Sequence, residues 1–239
     1  MSIVFPPLSM AARPLVCPAC DSAFTLYTPK STSYSLEKRD SDLCPHYKGL
    51  NPMFYQVWVC PSCSFASYKP HWEELPTGEK AKILLLSKQS LGMRFDFSRF
   101  ERTIFAAILS YQLAYRCYQE RKVSTSYLMG NTQMKLAWLC RTAKDLKREQ
   151  LHLELAKGHL CDCFDREVGR NSAIDEPQLA FQLGEIFLRT NEPARAIEWY
   201  TRAMKCEGVI NEINRMCKDQ IFEARESLEK ARQKETEEA

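Results

Sequence analysis

The sequence predicts a mainly α protein in which a small N-terminal β-rich module, residues 1–75, precedes an antiparallel helical array, residues 76–239, with a charged C-terminal helix. Three observations carry that expectation. Two Cys-Pro-x-Cys motifs stand among short β-type runs broken by Pro, Ser, Asn and Asp. Beyond Glu74-Leu75-Pro76-Thr77 the apolar spacing turns helical, and near residue 180 a Leu-Gly pair is followed by small and aromatic residues at helical-repeat distances.

In the β module the strand-like runs are Phe24 to Tyr27, Ser33 to Leu36 and Tyr55 to Val59. The first helix follows the cap Thr77, with Ala81, Leu84, Leu85 and Lys88 at helical spacing. Ser98 and Glu101 form a capping box for the second, whose face holds Ile104, Ile108, Leu109, Leu113 and Cys117. Gly130-Asn131-Thr132 interrupts the next stretch or precedes its cap, so a third pattern runs from Met134 to Cys140. A longer one runs from Leu146 to about Val168 and stops at Gly169. Asp175 with Pro177 opens a helix to about Arg189, Asn191-Glu192-Pro193 turns the chain, and Gly208 closes the helix after it. The last starts near Val209 and grades into the mixed charges of Glu223 to Glu238, a solvated face or a charged interaction arm.

Composition narrows the function. With 33 Lys plus Arg against 30 Asp plus Glu, the charge of +3 is too mild for a strong polyanion binder, and 45% hydrophobic side chains exclude disorder. The longest apolar runs, Ile83 to Leu86 and Ile104 to Leu109, fall far short of the roughly 20 residues of a membrane span. Met1 to Arg13 lacks the basic start and apolar block of a secretion signal, so a cytoplasmic location is expected. In a reducing compartment the 11 cysteines are metal-ligand candidates rather than disulfide partners.

Cys17-Pro18-Ala19-Cys20 and Cys60-Pro61-Ser62-Cys63 are the strongest chemical signal, with 39 residues between Cys20 and Cys60. Two residues between cysteines let a tight turn aim both sulfurs at one point, and two such turns supply four thiolates for one structural Zn2+ in a zinc-ribbon-like module. The separation exceeds the usual ~15–20 residues, so strands and a loop are expected between the knuckles. A dithiol redox site is the rival reading, but Ser64 to Pro70 does not make the helix such a site needs. Cys44 and His46 are alternative ligands, groups that support the ligands from beside the site, or a loop cysteine and an exposed histidine. His152, His159 and Cys163 share a helical face without a carboxylate, and read better as core than as a metal patch.

In the helical half, Ala180-Phe181-Gln182-Leu183-Gly184-Glu185-Ile186-Phe187 with Ala196, Tyr200 and Ala203 reproduces the tetratricopeptide pattern. Gly184, Ala196 and Ala203 would let two antiparallel helices approach, with Phe187 and Tyr200 filling the gap. Leu136 to Cys140 with Leu153, Ala156 and Leu160 reads as a degenerate copy. Gln178, Phe181, Glu185 and Leu188 are expected to face a groove that binds a protein or peptide partner, and their chemistry disfavours a carboxylate clamp.

The order Cys17-Pro18-Ala19-Cys20, Lys38-Arg39-Asp40-Ser41-Asp42, Tyr47-Lys48-Gly49-Leu50-Asn51-Pro52, and Tyr55 to Ala66 resembles the bacterial family catalogued as domain of unknown function 2225. Tyr111-Gln112-Leu113-Ala114 and Leu136 to Arg141 are similar to its helical half. The resemblance implies a zinc-ribbon-like N-terminus and repeat-like helices. Asp21 and Ser64 stand where a CPxC knuckle commonly has glycine, which bears on the turn geometry. Arg39, Asp40 and Asp42 could bind an ion or substrate, but in a small β module such residues more often pair with one another and with turn amides.

The expected function is therefore a non-catalytic, zinc-binding interaction protein. The alternatives are a nucleic-acid-binding regulator using Lys30, Lys38, Arg39 and Lys48 with exposed Tyr27, Tyr34 or Tyr47, and a thiol redox or metal sensor. No P-loop, GxSxG, HExxH or dinucleotide fingerprint points to an enzyme.

Overall fold

The computed structural model describes residues 8–89, 96–97, 99–122, 125–170 and 174–237. More than half of the described residues are helical, with small antiparallel sheets in the N-terminal region. Three two-stranded sheets are formed by β1 (Met10–Val16) with β2 (Ala23–Pro29), β3 (Tyr34–Arg39) with β4 (Pro45–Gly49), and β5 (Val57–Val59) with β6 (Ala66–Tyr68). The helices are α1 (Thr77–Gln89), α2 (Ile104–Gln119), α3 (Ser126–Thr142), α4 (Leu146–Arg166), α5 (Glu176–Arg189), α6 (Pro193–Lys205) and α7 (Asn211–Glu237). None among the described residues is long and apolar enough to cross a membrane.

The chain passes from strand to helix between Tyr68 and Thr77, but its compact units do not part at residue 75. One unit comprises the chain through residue 38 with 45–125 and 139–144, and the other comprises 39–44, 126–138 and the chain from 145 onward. The hairpins remain with α1 and α2 because short two-stranded sheets cannot bury their own apolar faces.

In the first unit α2 is the anchor. The Tyr111 hydroxyl donates to the Met53 carbonyl at 2.8 Å, and the Tyr68 N–H donates to the Tyr118 hydroxyl at 2.9 Å, which fixes β6. The expected start of this helix at Ser98 lies outside the described residues, and Glu101 precedes the helix rather than closing a capping box in it. Thr103 caps α2 instead, its side chain accepting from the Ala106 N–H at 3.2 Å. Arg102 holds the chain extended before that cap: only 8% exposed, it donates to the carbonyls of Phe54 at 3.2 Å and Val57 at 3.0 Å. Burial lowers its guanidinium to about 10, which still leaves it charged at neutral pH.

In the second unit α6 packs against both α5 and α7. A Cβ on Gly184 would lie 2.5 Å from the Tyr200 ring, so only glycine permits this approach of α5 and α6. Phe181, Tyr200, Ala196 and Ala203 are fully buried between them. α3 begins at Ser126, eight residues ahead of the expected Met134. Its start is held by the buried Glu167 carboxylate, which accepts from the N–H groups of Ser126 at 2.9 Å and Tyr127 at 3.4 Å. Gly130 does not interrupt this helix; any side chain there would collide with Leu160 of α4.

Candidate metal centre

Each CPxC motif is the turn of a hairpin. Val16 pairs with Ala23 across the first and Val59 with Ala66 across the second, so six residues, 17–22 and 60–65, form each knuckle. The backbone closes both in the same way. Cys17 N–H donates to Ser22 at 3.0 Å and Asp21 N–H to Cys17 at 2.9 Å; Cys60 N–H donates to Phe65 at 2.8 Å and Ser64 N–H to Cys60 at 2.9 Å. Asp21 and Ser64 take the left-handed conformation, φ 58° and 57°, so the turn keeps its geometry without glycine and carries the strain.

These knuckles bring Cys17, Cys20, Cys60 and Cys63 together, all four sulfurs within 4.8 Å of one another. Cys17 and Cys63 sulfurs are 3.6 Å apart and those of Cys20 and Cys60 3.7 Å. An ion about 2.3 Å from each of four sulfurs spaces them about 3.8 Å apart, so the cluster could hold one tetrahedrally coordinated metal ion. Cys17, Cys60 and Cys63 are buried, and Cys20 is half-buried. On the Cys63 side, Ile83, Leu113 and Cys117 leave a gap of about 10 Å³, no larger than a water needs.

The sulfurs are close enough to set one another's ionisation. Hydrogen bonds with Cys17 and then Cys63 hold Cys60 well below the usual thiol range. Its bond to Cys60 pushes Cys17 up to about 12, while Cys17, Cys60 and burial all push Cys63 up. One thiolate is thus stabilised by neighbours that remain protonated. The backbone of Ala19 and Cys20 lowers the Cys17 thiol, and that of Ser62 and Cys63 lowers the Cys60 thiol, so both knuckles favour a thiolate at their first cysteine in the same way. Trp72, which no sequence motif marks, ties the hairpins together. Its indole N–H donates to Val16 at 3.3 Å and its ring packs on Phe24 and Phe65, with centroids at 6.0 and 5.1 Å.

The cluster includes neither Cys44 nor His46. His152 is buried, and its Nδ1 lies 2.6 Å from the Gln133 side-chain oxygen; it forms no metal-ligating group with His159 and Cys163 among the described residues. Tyr27 packs edge-on to Phe100, and Tyr34 edge-on to Tyr47, so these half-buried rings are not splayed for stacking.

The four residues expected to line a partner groove do not share an open face. Gln178 is exposed and Leu188 half-buried, but Phe181 is fully buried against Tyr200. Glu185 is 1% exposed and already engaged: Tyr200 donates to it at 2.8 Å and the Ser41 hydroxyl at 2.7 Å. The pattern of small and aromatic residues that packs α5 on α6 turns Phe181 inward. The Arg39 to Cys44 segment supplies the rest of this network. Asp42 is fully buried, accepts from the Trp138 indole at 3.1 Å, and pairs with Arg189 at 3.3 Å; Arg189 also donates to Ser41 at 2.9 Å. The acids of this segment thus include one structural member, Asp42, that the motif alone did not single out from Asp40.

The profile of a family described as an uncharacterized protein conserved in bacteria (DUF2225) matches residues 10–227. No curated protein and no solved structure matches the chain.

Proposed function

The chain belongs to this bacterial family, DUF2225, which is uncharacterised, and we propose that it is a non-catalytic zinc-binding interaction protein of the cytoplasm. One structural Zn2+ is held by Cys17, Cys20, Cys60 and Cys63, and tetratricopeptide-like helices offer a surface to a protein or peptide partner. The observation that carries the metal reading is the closed shell: four sulfurs from two matched knuckles leave no coordination position for a substrate or water, which a catalytic ion requires. Zinc suits the set because it takes four thiolates without redox demands, and it would join two hairpins that bury little surface of their own.

Elemental analysis of protein purified under reducing conditions tests this. One zinc per chain is expected, with a colourless protein, and Cys17→Ser or Cys60→Ser should lose the metal. Stoichiometric iron with visible thiolate absorption, or metal-free folded protein, would overturn the reading. In use, the four cysteines position the two hairpins, and Trp72 excludes water between them.

A further inference from the structure

The β3–β4 hairpin carries a second group of metal-ligand side chains, apart from the four cysteines. One oxygen of Asp40, the sulfur of Cys44 and one ring nitrogen of His46 all lie within 4.8 Å of one another. Cys44 is 2% exposed, and Asp40 and His46 are half-buried. We propose that these three residues form a second, exchangeable site for a zinc-class divalent cation, its fourth position left to water or an incoming donor.

Hairpin geometry explains why the three converge. Asp40 N–H donates to the Cys44 carbonyl at 3.0 Å and Leu43 N–H to the Asp40 carbonyl at 3.0 Å, which sets Asp40 and Cys44 opposite each other across the turn. Leu43 reverses the chain there by taking the left-handed region, φ 67°, where a branched aliphatic side chain rarely rests. His46 lies two residues beyond Cys44, the spacing that puts side chains on one side of an extended chain. Behind the turn the Cys44 N–H donates to the Asp42 carboxylate at 3.3 Å, and Asp42 is itself held by Trp138 and Arg189. Such outer contacts keep a ligand aimed.

The donor set selects the cation. Magnesium and calcium take oxygen ligands, whereas zinc accepts a thiolate, an imidazole and a carboxylate together. The thiolate and the carboxylate also cancel the charge of a divalent ion, which favours its entry into a partly buried position. A tetrahedral zinc shell spaces sulfur, nitrogen and oxygen about 3.3–3.6 Å apart, so the three atoms close by about 1.5 Å at most, within reach of side-chain rotation. All three residues have other interactions in this structure, and none has to be idle. A carboxylate offers about four acceptor positions, the thiol exchanges its proton for the ion, and the imidazole binds through a neutral ring nitrogen. Asp40 and His46 give the ion a path from solvent. Three ligands hold it less firmly than four thiolates, so the one zinc expected to survive purification and dialysis stays at the knuckles.

Cobalt(II) titration of the full-length protein, freed of thiol reductants, tests it. The native chain should take up one more equivalent of Co2+ than Cys44→Ser or His46→Ala, and that equivalent should add thiolate-to-cobalt absorption. Asp40→Asn should weaken its binding at least tenfold, and His71→Ala should change nothing, all with unchanged circular dichroism. His46→Ala keeps the comparison should Cys44→Ser disturb the packing. Equal uptake by the native chain and His46→Ala, an added equivalent without thiolate absorption, indifference to Asp40→Asn, or the same loss from His71→Ala would overturn it. Each variant is compared with the native chain, so the difference isolates this site whatever the four cysteines hold, and the zinc reading is judged separately.

Discussion

Glu185 shows how one buried side chain sets a pH dependence. Burial raises its carboxyl above the ordinary 4.5, and the hydrogen bonds from Ser41 and Tyr200 with the charge of Arg189 only partly oppose this. The folded state therefore holds this proton more tightly than the unfolded chain does. Its contribution to stability is complete below pH 4.5 and is lost as pH rises through the raised folded value. Glu185→Gln cannot titrate, so the stability of the native protein relative to this variant should fall as pH climbs out of the ordinary carboxylate range and then level. Urea unfolding of both proteins from pH 4 to 8 measures it, and taking the difference cancels the acid loss of metal common to both. Parallel curves would refute the assignment. Sequence reading singled out Glu185 but for a solvent-facing role, because the helical spacing that names a face cannot say that Ser41, 144 positions away, covers it.

The hairpin is the element that makes the metal site. Two six-residue knuckles repeat one backbone, and both pass through a left-handed residue that is not glycine. Ser64→Gly and Asp21→Gly should therefore each stabilise the metal-loaded protein by about 0.5–1 kcal/mol, with Ser64→Gly gaining more because aspartate tolerates this conformation better. Denaturant midpoints at saturating zinc would show it, and a loss at either position would mean the side chain does more than fill the turn. The thiol set was legible because a CPxC knuckle is local: four residues decide where two sulfurs point. Helix ends were less so. α3 is capped by Glu167 from 41 positions away, and Gly130 is a close-approach glycine that resembles a break unless Leu160 is seen beside it. α2 begins late because Arg102 commits its surroundings to carbonyls that no periodicity reveals.

For the whole molecule, a net charge of +3 gives little long-range attraction to nucleic acid, and Tyr27, Tyr34 and Tyr47, the candidates for stacking on bases, pack on other rings. Full-length protein used as bait should accordingly retain a protein partner after nuclease treatment and at high salt. Recovery of nucleic acid alone, released by salt, would move the function to the N-terminal hairpins. The strand-to-helix change near residue 75 was readable from periodicity, but the partition into units was not, because it depends on which distant surfaces bury one another. That partition sends residues 39–44 into the company of helices far later in the chain. Ser41 meets Arg189 only after 148 further residues are made, about 7 to 30 s at the usual pace of synthesis. During that interval the hairpin tip waits on the nascent chain without its partners, and the run Arg39-Asp40-Ser41-Asp42 is hydrophilic enough to wait in water.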